Sequence, residues 1–151
     1  MAMQQFSRSL PMMLYRTLDA VMPRFRSIFN EFGLTEQQWR VLRVLWEGAA
    51  LPLSELAELT LLPAPSLVGV VDRLERAGFV SRRRSDQDRR VVFVAATRKA
   101  SEIEPEVMRR VAGAYAELKQ SMDPQVWEQL LAGLEQVCSV SQARPRRKAS
   151  P

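Results

Sequence analysis

Between positions 53 and 97 the hydrophobic period of this chain changes from helical to extended, and that change narrows the folds open to it. Leu67, Val70, Val71 and Leu74 follow the i, i+3, i+4, i+7 spacing of one buried helix face. After Gly78 the chain turns β-rich over residues 79–84 and again over 91–95, on either side of a polar turn. Arg82, Arg83, Arg84, Arg89 and Arg90 crowd the two ends of that turn. Two short helices, a strand, a charged turn and a second strand read as a winged helix-turn-helix. The expected class is mainly α with a small β-hairpin wing.

Helices flank this unit on both sides. Leu10, Leu14, Leu18, Val21, Phe25, Ile28 and Phe32 describe one long amphipathic helix, which starts near Ser9 and Pro11 and stops at Gly33. Pro23 is expected to bend or break it. Thr35 with Gln38 three residues later is a capping box, so a second helix is predicted over 36–46. A third covers 54–59. Pro63 and Pro65 suit the first turn of a fourth, over 64–76, with Gly78 as its stop. Thr97 caps a fifth helix that Pro105 interrupts or restarts. Asp123-Pro124 opens a sixth, striped by Trp127, Leu130, Leu131, Leu134 and Cys138.

The division expected is residues 1–34 for an N-terminal dimerisation helix and 35–97 for the winged unit. Residues 98–142 form C-terminal dimerisation helices, and 143–151 a basic tail expected to be disordered. Apolar stripes that a small central unit cannot cover need another surface, and a two-fold homodimer is the simplest one. The other arrangement packs the terminal helices on their own subunit.

Composition excludes several functions. With no histidine and one cysteine, a zinc site of the usual ligands and any histidine-based catalytic pair are ruled out. No glycine-rich phosphate loop occurs. No catalytic residue, metal or cofactor is expected, and the chain is read as no enzyme. No apolar run is long enough to span a bilayer, and the start does not resemble a signal peptide, so a cytoplasmic protein is expected. Cys138 is expected to pack as a small hydrophobe, with a redox-sensing repressor as the alternative.

Charge placement points to a partner. Residues 82–99 hold seven Lys/Arg against two Asp, while the body outside the wing and tail is mildly acidic. An attractive field on one face suits double-stranded DNA. On the fourth helix the face opposite the buried one carries Pro65, Ser66, Gly69 and Arg73, slim enough near its start to approach a major-groove floor. Ser66 either contacts a base edge or satisfies the open amides of the first turn. In the wing, Arg89 and Arg90 sit at the tip, where a guanidinium can enter the minor groove, and Asp88 can orient Arg90. Arg82 and Arg84 alternate with Val80 and are expected to hold phosphates. Asp72 is a second carboxylate that can tie wing to helix. A winged helix that docks an acidic protein is the alternative use of the same charges.

The run Val71-Asp72-Arg73-Leu74-Glu75-Arg76-Ala77-Gly78-Phe79-Val80, followed by Asp88-Arg89-Arg90 and a strand ending in Ala96-Thr97, resembles the MarR family of transcriptional regulators. The likeness runs from about Leu10 to Val140. Gly33 through Val41 and Pro65 through Val70 are similar, more narrowly, to the branch that controls homoprotocatechuate and related aromatic-acid operons. The resemblance implies a homodimeric repressor with a palindromic operator, released by a small aromatic carboxylic acid. It places the family's wing motif on Asp88 and Arg90, and on Asp72 the helix aspartate that pairs with the wing arginine. It also implies an effector pocket between the dimerisation helices and the winged unit, for which Arg16, Gln38, Trp39 and Arg40 are the candidates. Three features depart from the family. Ala96-Thr97-Arg98-Lys99-Ala100 replaces the common Leu-Thr-x-x-Gly, Gly69 stands where many members carry an arginine, and the basic tail is an addition that can anchor phosphates.

Overall fold

The computed structural model describes residues 6–142; the basic tail, 143–151, lies outside the described residues. Among the described residues, six α-helices and three strands follow one 3₁₀ turn. The helices are α1 (Leu10–Glu31), α2 (Glu36–Trp46), α3 (Leu53–Thr60), α4 (Ala64–Arg76), α5 (Arg98–Gln120) and α6 (Pro124–Gln142). The strands are β1 (Leu51–Pro52), β2 (Val80–Arg84) and β3 (Val92–Ala96), hydrogen-bonded in the antiparallel order β1-β3-β2. Among the described residues no single helix is long and apolar enough to cross a membrane.

Local capping chemistry accounts for most boundaries. The Thr35 amide donates to Gln38 Oε1 at 2.8 Å and the Gln38 amide donates to Thr35 Oγ1 at 3.2 Å, so both halves of the capping box form. Gly33 and Gly78 take φ of +69° and +79°, the left-handed conformation that ends a helix at least cost without a Cβ. Asp123 Oδ1 accepts from the amides of Gln125 and Val126, which starts α6. Thr97 Oγ1 accepts from the Ala100 amide at 3.4 Å and donates to the Gly78 carbonyl at 2.6 Å, joining the start of α5 to the end of the helix-turn-helix.

Helix α1 is not broken at Pro23 and α5 is not interrupted at Pro105; both run through the proline. Both rings face solvent, where water can satisfy the carbonyl that each leaves unpaired four residues earlier. Strand β1 was not expected. Its two residues pair with β3 through Leu51↔Val94 and Pro52↔Phe93, and they are too few to show a period of two.

The chain divides into two compact units between Val111 and Ala112, within α5. In the first, Val41, Leu42, Leu56, Val70, Val71, Leu74, Val94 and Val107 are fully buried, so α2, α3, α4, the sheet and the start of α5 share one core. Phe25, Ile28 and Phe29 add the last turns of α1 to it, whereas Leu10, Leu14 and Leu18 on the same stripe stay exposed. In the second unit Tyr115 meets Trp127 edge to face, with ring centroids 5.3 Å apart. Trp127 is buried, yet Leu130 and Cys138 on the α6 stripe are exposed. Cys138 is therefore not packed as expected: its side chain is exposed near the end of α6.

Candidate nucleic-acid interface

The hairpin register decides which arginines face solvent. Val80, Arg82 and Arg84 lie on one face of β2, and directly opposite them on β3 stand Ala96, Val94 and Val92. Val80 and Val94 are buried, so this is the face turned toward the core. Arg82 consequently meets α4. Its Nη1 donates to Asp72 Oδ1 at 2.6 Å, and its Nε and Nη2 donate to Glu75 Oε2 at 3.0 and 2.6 Å. The hydrogen bonds to Glu75 are the largest influence, and with the charges of Glu75 and Asp72 they hold the guanidinium pKa above its ordinary value against the opposing effect of desolvation.

This corrects two expectations. Asp72 pairs with Arg82 and not with the tip residue Arg90. Arg82, clasped by two carboxylates, is not displayed as a phosphate anchor; it ties wing to helix. Arg83, left out of the expected contacts, points to the opposite face of β2, with a side chain 74% exposed and only a 3.6 Å ion pair to Asp86. The alternation of Arg82 with Val80 puts the two on one face of β2, and the burial of Val80 turns that face to the core.

At the tip, Ser85 shapes the loop by accepting from the amides of Gln87 and Asp88 through its hydroxyl. Asp88 then binds Arg90 three times: Oδ1 accepts from the Arg90 amide at 3.0 Å and from Nε at 3.1 Å, and Oδ2 from Nη2 at 3.0 Å. The bidentate pair fixes a guanidinium whose side chain is 91% exposed. Those bonds hold the Asp88 carboxyl below its ordinary pKa and Arg90 above its own. Arg84 donates to the Arg89 carbonyl at 3.4 Å. The Arg89 side chain makes no bond within the described residues. Open clefts of about 330 and 430 Å³ flank these cations, the first lined by Leu53, Arg82, Arg83, Arg84 and Val92, the second by Arg84, Ser85, Asp86 and Arg89.

On α4 the expected face is present. Pro65, Ser66 and Arg73 are exposed and Gly69 is half-buried. Pro63 precedes the helix without a side-chain cap, and Ser66 makes no hydrogen bond within the described residues, so its hydroxyl is not spent on the first turn. The Arg73 guanidinium lies back along the helix, 3.5 Å from where a Cβ on Gly69 would stand. Val68, absent from the expected contacts, is also exposed.

The four effector candidates do not converge within one chain. Gln38 is buried and engaged in the cap of α2. Trp39 stacks on Phe29 with centroids 4.6 Å apart, and its buried Nε1 has no acceptor. Arg40 donates to the Thr60 carbonyl at 3.0 Å and pairs with Glu36 at 3.4 Å, joining α2 to the end of α3. Arg16 is exposed, and it precedes Phe29 on α1 by thirteen residues, roughly 20 Å of helix. The sequence carried no register between α1 and α2, and it is this register that separates Arg16 from Trp39.

Comparison with known proteins gives a consistent picture. The profile of the MarR family matches residues 34–92. The homoprotocatechuate degradative operon repressor of Escherichia coli is 29% identical over 136 residues, covering 90% of this chain and 92% of that one. The transcriptional regulator FarR of Neisseria gonorrhoeae is 34% identical over 115 residues, covering 76% and 79%. Among solved structures, NadR in complex with 4-hydroxyphenylacetate superposes with a TM-score of 0.74 at 29% identity, covering 95% of this chain and all of the other.

Proposed function

Because this chain belongs to the MarR family of transcriptional regulators, we propose that it is a homodimeric repressor that binds a palindromic DNA operator and is released by a small aromatic carboxylic acid. The observation that carries the DNA reading is the pair of arginines at different depths of the wing. Arg82 locks β2 to α4, and Arg90 is held out at the tip by Asp88. A rigid helix–wing unit lets α4 enter the major groove while Arg90 reaches the adjacent minor groove, where negative potential is focused. Arg83, Arg84 and Arg89 hold the phosphates between them, and Ser66 and Arg73 face the bases. The location that goes with this role is the cytoplasm.

Two copies meet through the exposed stripes of α1 and α6. A second copy also supplies what the single chain lacks for an effector site. It brings the exposed Arg16 to the Trp39 indole, whose N–H donor is buried without an acceptor among the described residues. A ring carboxylate satisfies both groups. The family likeness supports this chemistry, since NadR was solved with 4-hydroxyphenylacetate.

Selection from random duplexes is the first test, and a two-fold symmetric consensus with half-sites about one helical turn apart is expected. Failure to enrich any sequence would favour a protein-docking role. On the selected duplex, Arg90→Ala should lower affinity by about 1–3 kcal/mol, and wild-type binding should fall steeply with salt. For the effector, 4-hydroxyphenylacetate and related hydroxylated aromatic acids should raise the melting temperature by mass action; no shift across the series would remove the ligand part of the reading.

A further inference from the structure

Val68 stands out on the open side of α4, on the ridge it shares with Asp72 and Glu75 four and seven residues on. It is 42% exposed, whereas Val70 and Val71 in the next turn are fully buried. A β-branched residue on the open side of a helix lowers helix propensity and adds nothing to the core. Its surroundings favour close approach by DNA. The next residue is Gly69, which has no side chain of its own, and only the flexible end of Arg73 lies against it, 3.5 Å from where a Cβ would stand. One and two turns further along the same ridge lie Asp72 and Glu75, two carboxylates that would repel DNA if they were free. Both are clasped by Arg82. The ridge bearing Val68 therefore ends in a cluster whose two negative charges are cut to one by Arg82, and Arg73 on the same helix adds a cation with no ion pair among the described residues.

We propose that Val68 is a specificity-determining residue that reads the C5 methyl group of a thymine in the major groove. The assignment rests on the DNA-binding reading above and deepens it. In the major groove the thymine methyl is the apolar mark that distinguishes this base, and small aliphatic side chains recognise it by contact. A valine held rigidly on a helix, beside a bare glycine, supplies two methyl groups at the depth where that mark lies. It cannot form the bidentate hydrogen bonds that a longer polar side chain would make to guanine or adenine.

The test changes the DNA before it changes the protein. A duplex selected from a random library by the full-length chain is resynthesised with deoxyuridine replacing each thymine in turn, which removes only the methyl group. Wild-type protein should lose affinity at one thymine of each half-site, by about fourfold for one half-site and about fifteenfold for both, the worth of one buried methyl each time. Val68→Ala should bind the thymine duplex less tightly by a similar factor and no longer distinguish it from the deoxyuridine duplex. Val68→Thr, which keeps one methyl, should retain part of the discrimination.

A flat deoxyuridine scan with intact binding would overturn the role of Val68 and leave the repressor reading standing. A methyl effect that persists at full size in Val68→Ala would overturn it too, by assigning the methyl to another residue. If the library yields no enriched duplex at all, the DNA-binding reading itself falls.

Discussion

The two ends of α1 carry the same apolar stripe and meet different fates. Phe25, Ile28 and Phe29 are buried against the winged unit, with Phe29 stacked on Trp39. Leu10, Leu14 and Leu18 repeat the same spacing and lie exposed, with Leu18 at 55%. Helical periodicity marks a face that wants burial, but it does not say what buries it. Where the chain supplies a neighbour the stripe becomes core. Where it does not, the stripe is an unfilled demand of the kind a second copy meets.

The largest effect expected from this contrast comes from truncating one side of it. Leu74→Ala, in the fully buried core of α4, should lower unfolding stability by about 2–5 kcal/mol in urea melts, whatever the protein concentration. Leu18→Ala should cost stability only where copies associate, so that its effect shrinks on dilution, and sedimentation should show weaker self-association. A Leu18→Ala variant unchanged at every concentration would mean that the exposed half of α1 is not an interface.

The wing repeats the contrast on a smaller scale, with Arg82 engaged and Arg90 displayed. Because Arg82 is one-third exposed and its pairs are screened, Arg82→Ala should cost only about 0.5–1 kcal/mol of stability. It should nonetheless speed amide exchange in β2 and weaken operator binding, since the wing loses its tether to α4. Arg90→Ala should do the reverse, weakening binding while β2 exchange stays as it was. Equal exchange in both variants would erase the distinction between the two arginines.

The smallest effect is at Asp88. Its carboxyl is held below the ordinary carboxylate range, chiefly by the side-chain bonds from Arg90 and then by the Arg90 amide. A lowered folded-state pKa means that the tip contact is fully present above the unfolded carboxylate pKa and is lost as pH falls through the lowered value. Carbon-detected NMR titration should place Asp88 below a typical aspartate in the wild type and nearer to one in Arg90→Ala. Coincident titrations would show that the pair does not orient the tip in solution.

Much of the architecture was legible because its signals are local. The boundaries of α2 and α4 follow from Thr35, Gln38, the prolines at 63 and 65 and Gly78, each acting within a turn or two of its own position. Asp88 and Arg90 are two residues apart, so their pairing needs only a turn. The sequence also carried the clue that Arg82 shares a strand face with Val80, although alternation alone does not say whether that face meets core or solvent.

The sequence by itself determined the helices, the wing hairpin, most caps, the apolar faces and the concentration of arginine on the hairpin, because propensity, periodicity and short-range hydrogen bonds act along the chain. Tertiary structure alone decided that Asp72 holds Arg82 rather than Arg90, that Val68 stays open beside Gly69, that Arg16 lies far from Trp39, and that half of α1 is left bare. Each of these depends on the register between segments distant in sequence. Five arginines are equivalent as residues, and only the packing of β2 against α4 separates the one that anchors the wing from those that face outward.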